Sequence, residues 1–274
     1  MSDSSPAERA IDLNADLGES FGRFTVGRDE ELVPLLTSAQ LACGFHGGDP
    51  RTMDRTVAAC RAAGVAVGAH PSFPDLVGFG RRVVEVTGLE AETDVLYQVA
   101  ALDGFCRRHG VTMQHVKPHG ALYNEASRNV ELARGVAAGI ASYDSRLILV
   151  CQFGTALAAA GREAGLRLAY EGFADRAYRA DGTLVPRSVP GSVLHDAEQA
   201  ADQALRMATE GRVAAMDGSV VEVPVDTLCV HGDNPGAVGL VRLLRQRLTG
   251  EGVRLRPMGD LVAARHDESS AGDG

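Results

Sequence analysis

The strongest constraint on this chain is an alternation. Short apolar runs of strand length are followed by longer stretches of helical period, almost from end to end. The spacing predicts strands near 11–16, 41–46, 65–70, 113–119, 147–152, 168–171, 227–231 and 253–257. Helices are predicted near 51–63, 92–108, 129–141, 194–210 and 237–248. Asp49-Pro50 reads as an N-cap and first-turn proline, Gly64 as the matching stop, and Asn234-Pro235 repeats the opening. Seven or eight such units in series predict a parallel sheet. That many favour a closed or nearly closed barrel over an open doubly wound sheet.

No linker-like stretch interrupts the pattern, so one domain is expected over 1–265, with a small polar tail over 266–274 predicted to be disordered. Basic residues number 27 against 36 acidic ones, for a net charge of −9, and no basic stripe is visible. Nucleic acid is therefore not the expected partner. No apolar run approaches a membrane span and no signal-peptide core opens the chain, so a cytoplasmic protein is expected. The five cysteines lack CxxC pairing and read as reduced thiols.

Polar residues gather where strands end. Asp12, Asn14 and Asp16 fall at period two and share a face, as do His115, Lys117 and His119. His46, His70, Glu171 and His231 stand where apolar runs give way to Gly, Pro or Ser. One such histidine would be unremarkable; several at successive strand ends, joined by carboxylates, indicate a site. Lys117 is the sole lysine among the 27 basic residues. An amine is a compact charge whose pKa burial can tune, which the Arg fork is not. Cys43 reads as a small core residue. Asp49 and Asp233 precede helix-opening prolines and serve as caps or anion-site neighbours. No Walker loop, dinucleotide fingerprint or serine-nucleophile elbow is present. Two long segments after strands, 71–88 and 172–192, are candidate binding loops.

The blocks Asp12-Leu-Asn-Ala-Asp-Leu-Gly-Glu19, Ala42-Cys-Gly-Phe-His-Gly-Gly-Asp-Pro50 and Gly68-Ala-His-Pro-Ser-Phe-Pro-Asp75 resemble the LamB/YcsF family. So do Gly78-Phe-Gly-Arg-Arg82, Lys117-Pro-His-Gly-Ala-Leu-Tyr-Asn124, Glu171-Gly-Phe-Ala-Asp-Arg-Ala-Tyr178 and Val230-His-Gly-Asp-Asn-Pro235. The resemblance runs from about Ile11 to Asp260, with Gly47 and Gly172 standing where family members commonly carry Ala and Val. It implies an incomplete or distorted TIM-like (β/α)7 barrel of the glycoside hydrolase/deacetylase type. It also implies a cytoplasmic complex with two partner subunits, of B and C type, that opens the lactam of 5-oxoproline to glutamate using ATP. A homo-oligomer is left open.

On that reading Asp16, with His46 or His70, activates water as general base. Lys117 and His119 stabilise developing oxygen charge or phosphate. Arg81, Arg82 or Arg176 clamps the substrate carboxylate, while Asn14, Tyr123 and Asn124 orient it. Asp12, Glu171, Asp175, His231 and Asp233 complete the expected substrate pocket. Two alternatives stay open. One is a metal-dependent deacetylase or amidohydrolase, with Asp16, His46, His70 and His119 as ligands. Against it, His115 and His119 share one strand and would sit about 13 Å apart. The other is a non-catalytic small-molecule-binding subunit.

Overall fold

The computed structural model describes residues 9–230 and 236–271, the last six by their backbone alone. Six parallel strands follow in chain order: β1 (Ala10–Leu17), β2 (Ser38–Ala42), β3 (Ala66–His70), β4 (His115–Val116), β5 (Ile148–Cys151) and β6 (Arg167–Phe173). A small antiparallel hairpin, β7 (Arg212–Ala214) and β8 (Val220–Glu222), precedes β9 (Thr227–Cys229). The order β1-β2-β3-β4-β5-β6-β9 closes because β9 also pairs with β1. The barrel is thus closed by seven strands, and its incompleteness relative to an eight-stranded barrel lies in strand count. β1 is long enough to fork. Ala10 and Ile11 pair with β10 (Arg254–Leu255), and Asp12–Asn14 pair with β9.

Helices surround the strands: α1 (Asp29–Leu32), α2 (Pro50–Ala63), α3 (Gly88–Arg108), α4 (Gly120–Ala126), α5 (Val130–Asp144), α6 (Ala156–Glu163), α7 (Ala197–Glu210), α8 (Ala237–Gly250) and α9 (Met258–Ala271). Their boundaries follow local chemistry. Asp49 accepts the N–H groups of Arg51 and Thr52 ahead of Pro50, and Gly64 ends α2 at φ 70°. Thr87 and Glu90 form a capping box on α3. α2 buries Met53, Val57 and Cys60, the three- and four-residue spacing of one helical face. α3 and α5 approach backbone to backbone, since a Cβ on Gly135 would lie 2.2 Å from the Gly88 carbonyl oxygen. α8 begins behind Gly236, and the Asn234-Pro235 opening expected there lies outside the described residues. α9 runs to Ala271, so helix continues into the stretch expected as a disordered tail; 272–274 lie outside the described residues.

The period-two pattern of β1 sorts its side chains between two environments. Ile11, Leu13, Ala15 and Leu17 join the apolar core. Asp12, Asn14 and Asp16 share the other face and bond to Ser38 and Gln40 of neighbouring β2, Thr227 of neighbouring β9 and Glu171 of β6. β2 lies about three residues earlier than its apolar run suggested. Ser38 and Gln40 therefore face the axis, and His46 falls in the turn beyond. β4 is brief, but its backbone continues along β3. Gln114, Lys117 and His119 donate their N–H groups to Val67, Ala69 and Pro71 at 2.8, 2.9 and 2.8 Å. Gly68 must lack a side chain, because a Cβ there would sit 2.2 Å from the His115 ring.

Candidate functional site

The site is the end of the barrel where the strands finish. Asp16 comes from β1 and Glu19 from the turn after it. Gly18, at φ 68°, reverses the chain there and brings Glu19 back over the mouth. His46 arrives from the turn after β2, His70 from the end of β3, Lys117 and His119 from the extension of β4, and Glu171 from β6. All are buried except Asp16, whose side chain keeps 13% exposure.

Lys117 is the electrostatic centre. Its Nζ lies 2.7 Å from Glu171 Oε1 and 3.2 Å from Asp16 Oδ1, and donates to Cys229 Sγ at 3.1 Å. Burial opposes the ammonium charge, but Asp16 and Glu171 overcome it and hold the pKa well above the ordinary lysine value. Glu171 also accepts from Tyr123 Oη at 3.0 Å and from Asn14 Nδ2 at 3.3 Å. Asp16 Oδ1 accepts from Gln40 Nε2 at 2.6 Å and lies 3.2 Å from His70 Nε2.

Three imidazoles pack above this pair. His46 and His119 stack with ring centres 3.7 Å apart, and His70 meets both edge-on. Burial, with the neighbouring His119 and His70, pushes His46 well below the ordinary imidazole value. Burial and His70 push His119 to about 3. These two rings are neutral at pH 7, so His119 presents an acceptor nitrogen to the mouth rather than a positive charge. The loop after β3 holds the rings in place. Phe79 sets its ring edge-on to His46 and His119, and its carbonyl accepts from His119 Nε2 at 2.9 Å. Phe79 does this at φ 56°, the non-glycine residue with positive φ among the described residues.

The residues singled out in the sequence divide by place. Asp16, His46, His70, Lys117, His119, Glu171, Tyr123 and Asn14 are brought together. Asp12 lies deeper, at the floor of the barrel, where Thr37, Ser38 and Thr227 donate hydroxyls to it. Burial raises its pKa to about 6 against the lowering effect of those hydrogen bonds. Arg81 is exposed beside the mouth, its guanidinium carbon 5.4 Å from the Phe79 ring centre. Arg82 pairs with Asp75, and Arg176 is buried, donating from Nε to the Ser192 carbonyl and from Nη2 to the Val185 carbonyl. Asp175 is buried just beyond β6, and Asn124 is exposed on α4. His231 and Asp233 lie outside the described residues. Cys43 is buried, donates to the Leu41 carbonyl and is pushed up to about 12 by burial, as suits a core thiol. Glu19, Gln40 and Phe79 were not singled out from sequence. Ser38 and Gln40 do alternate like Asp12 and Asn14, a signal hidden by placing the strand too late.

The polar groups can do three things together: accept a proton from water at Asp16, present a fixed positive charge at Lys117, and offer neutral nitrogens at the mouth. One group of four side chains, Glu19, His46, His70 and His119, places potential metal-ligating atoms within 4.8 Å of one another.

The LamB/YcsF family profile matches residues 11–263. The A subunit of 5-oxoprolinase from Pyrococcus furiosus is 51% identical over 252 residues, covering 92% of this chain and 99% of the relative. The corresponding subunit from Symbiobacterium thermophilum is 55% identical over 245 residues, covering 89% and 94%. The crystal structure of the lactam utilization protein from Thermus thermophilus superposes with a TM-score of 0.88 at 50% identity, covering 90% of this chain and 99% of that one.

Proposed function

The chain belongs to the LamB/YcsF family, and from that premise we propose that it is the lactam-opening subunit of an ATP-dependent 5-oxoprolinase, converting 5-oxo-L-proline to L-glutamate with partner subunits. One observation carries the reading. A charged, buried lysine is held between two carboxylates at the mouth of a barrel, in a chain 51% identical over 92% of its length to a subunit named for that activity.

A five-membered lactam is a stable amide, so opening it at neutral pH calls for activation. Phosphoryl transfer from ATP to the amide oxygen provides it. Water then adds to the carbonyl carbon, the C–N bond breaks as the nitrogen takes a proton, and a second water releases phosphate. In this scheme Asp16, 3.2 Å from His70, takes the proton from the attacking water. Lys117 stabilises the negative charge that develops on oxygen. His119 is neutral, so that task falls to Lys117, while Arg81 meets the substrate carboxylate in this scheme. Tyr123 and Asn14 act through Glu171, which fixes the position of the lysine.

The sole lysine of the chain cannot form a Walker loop, and ATP enters this scheme through cytoplasmic partner subunits of B and C type. Among the described residues no helix is long and apolar enough to cross a membrane. The deciding experiment measures glutamate and phosphate released from 5-oxoproline and ATP by this chain alone and by its mixture with the partners. Equimolar release by the mixture alone is expected. Glutamate release by the isolated chain without ATP would replace this reading with a self-sufficient amidohydrolase.

A further inference from the structure

His70 and His119 meet through nitrogens that carry no proton in their neutral forms. His70 Nδ1 donates to the Lys117 carbonyl at 2.7 Å, so the neutral ring offers its lone pair at Nε2, which also lies 3.2 Å from Asp16 Oδ1. His119 Nε2 donates to the Phe79 carbonyl at 2.9 Å, which leaves Nδ1 with its own. These two acceptors face each other at 3.0 Å. Lone pairs at that distance repel unless something positive lies between them. A third acceptor, Glu19 Oε1, closes on the same point, 3.4 Å from His119 Nδ1 and 3.1 Å from His46 Nε2. The remaining nitrogen of His46 is buried without a hydrogen-bond partner.

Three of the six spacings match those around one ion, and the whole set lies within 4.8 Å. Ligand atoms bound at about 2.1 Å lie roughly 3.0 Å apart across a right angle and roughly 3.4 Å apart across a tetrahedral angle. The observed separations are 3.0, 3.1 and 3.4 Å. From this convergence we infer that Glu19, His46, His70 and His119 form the binding site for one divalent cation of the zinc class at the barrel mouth. Three imidazole nitrogens and one carboxylate suit zinc, cobalt or nickel; magnesium and calcium take oxygen-rich sets.

The surroundings have the form such a site requires. Backbone carbonyls of Lys117 and Phe79 fix which nitrogen of each ring is offered, as outer partners of metal-bound histidines do. The Phe79 carbonyl is held there at the cost of a left-handed backbone conformation. Gly80 passes so close that a Cβ on it would lie 2.7 Å from His119 Cδ2 and 2.8 Å from His46 Cβ. When bound, the ion would supply a Lewis acid beside Asp16 and Lys117. The assignment stands whether or not a lactam is the substrate.

The test is titration of the chelator-treated chain with cobalt(II), read by its visible d–d absorption, alongside zinc content of the protein as purified. Saturation at one equivalent is expected, with affinity at least about a hundredfold lower in Glu19→Gln and in His119→Ala but unchanged in His109→Gln, whose ring pairs with Asp54. Should either ligand variant fail to fold, imidazole nitrogen NMR of the wild-type chain replaces it. Zinc must then shift His46, His70 and His119 while leaving His109 in place. Absence of a d–d band, equal affinity in the ligand variants, or a His70–His119 pair that responds to pH and not to zinc would each overturn the site.

Discussion

The floor and the mouth of the barrel are built from the same kinds of side chain, yet they are wired differently. At the floor, Asp12 receives hydroxyls from Thr37, Ser38 and Thr227, so its acceptors are matched by donors. At the mouth, His70 Nε2 and His119 Nδ1 oppose each other, and Asp16 Oδ1 stands 3.2 Å from both His70 and Lys117. A saturated carboxylate contributes structure. Converging acceptors around a fixed charge leave room for a ligand to complete them, which is the physical mark of a site. Burial alone does not separate the two regions, since Asp12 and Glu171 are equally enclosed.

The sharpest break in this comparison is Lys117→Met. It removes the charge that Glu171 and Asp16 face, and breaking such a buried pair costs about 3–5 kcal/mol of stability. Turnover by the assembled complex should fall by at least about a thousandfold, measured as glutamate release. Undiminished turnover would remove the mouth from the chemistry. The floor answers differently. The pKa of Asp12 rises from 3.8 to about 6 on folding, so the folded chain binds its proton more tightly than the unfolded one. That contribution is complete below about pH 4 and is lost as pH rises through about 6, amounting to about 3 kcal/mol. Asp12→Asn should flatten the urea-derived stability profile across this window and leave turnover within about twofold of wild type. A variant that kept the slope would show that another group titrates there.

Much of this architecture is legible in the chain. The alternation announces parallel βα units, and period two in β1 and β4 announces which side chains meet. Two things were hidden, for different reasons. The first was the start of β2: its inward residues Ser38 and Gln40 are polar, so the hydrophobic run that marks a buried parallel strand begins only at Leu41. The second was Glu19. It lies beyond its strand, and its return to the mouth depends on the φ of Gly18 and on a partner 27 residues away, His46. Local pattern cannot express a contact made by a turn. Arg176 shows a contact that local pattern does not announce, since this loop arginine donates to two carbonyls of its own loop. Barrel closure depends on the pairing of β9 with both β6 and β1, information that resides in register rather than composition.

Smaller effects sharpen the boundary between the two regions. Gly68→Ala, midway along the axis, drives a methyl group into the His115 ring and should cost about 1–3 kcal/mol, read as a lowered urea midpoint with unchanged slope. Tyr123→Phe is subtler. It removes only the hydroxyl that donates to Glu171 Oε2 at 3.0 Å, while Lys117 and Asn14 still reach the other oxygen. The lost hydrogen bond is worth about 1–2 kcal/mol because the acceptor is charged and buried. If Glu171 serves to hold Lys117 in place, the loss should fall mainly on kcat, by about tenfold, with KM for 5-oxoproline nearly unchanged, since the lysine would then be misplaced toward the developing oxygen charge. If Tyr123 contacts substrate directly, KM should rise instead. A change in stability with neither kinetic constant altered would move Tyr123, and the outer half of the Glu171 carboxylate, from the mouth to the structural side of the comparison.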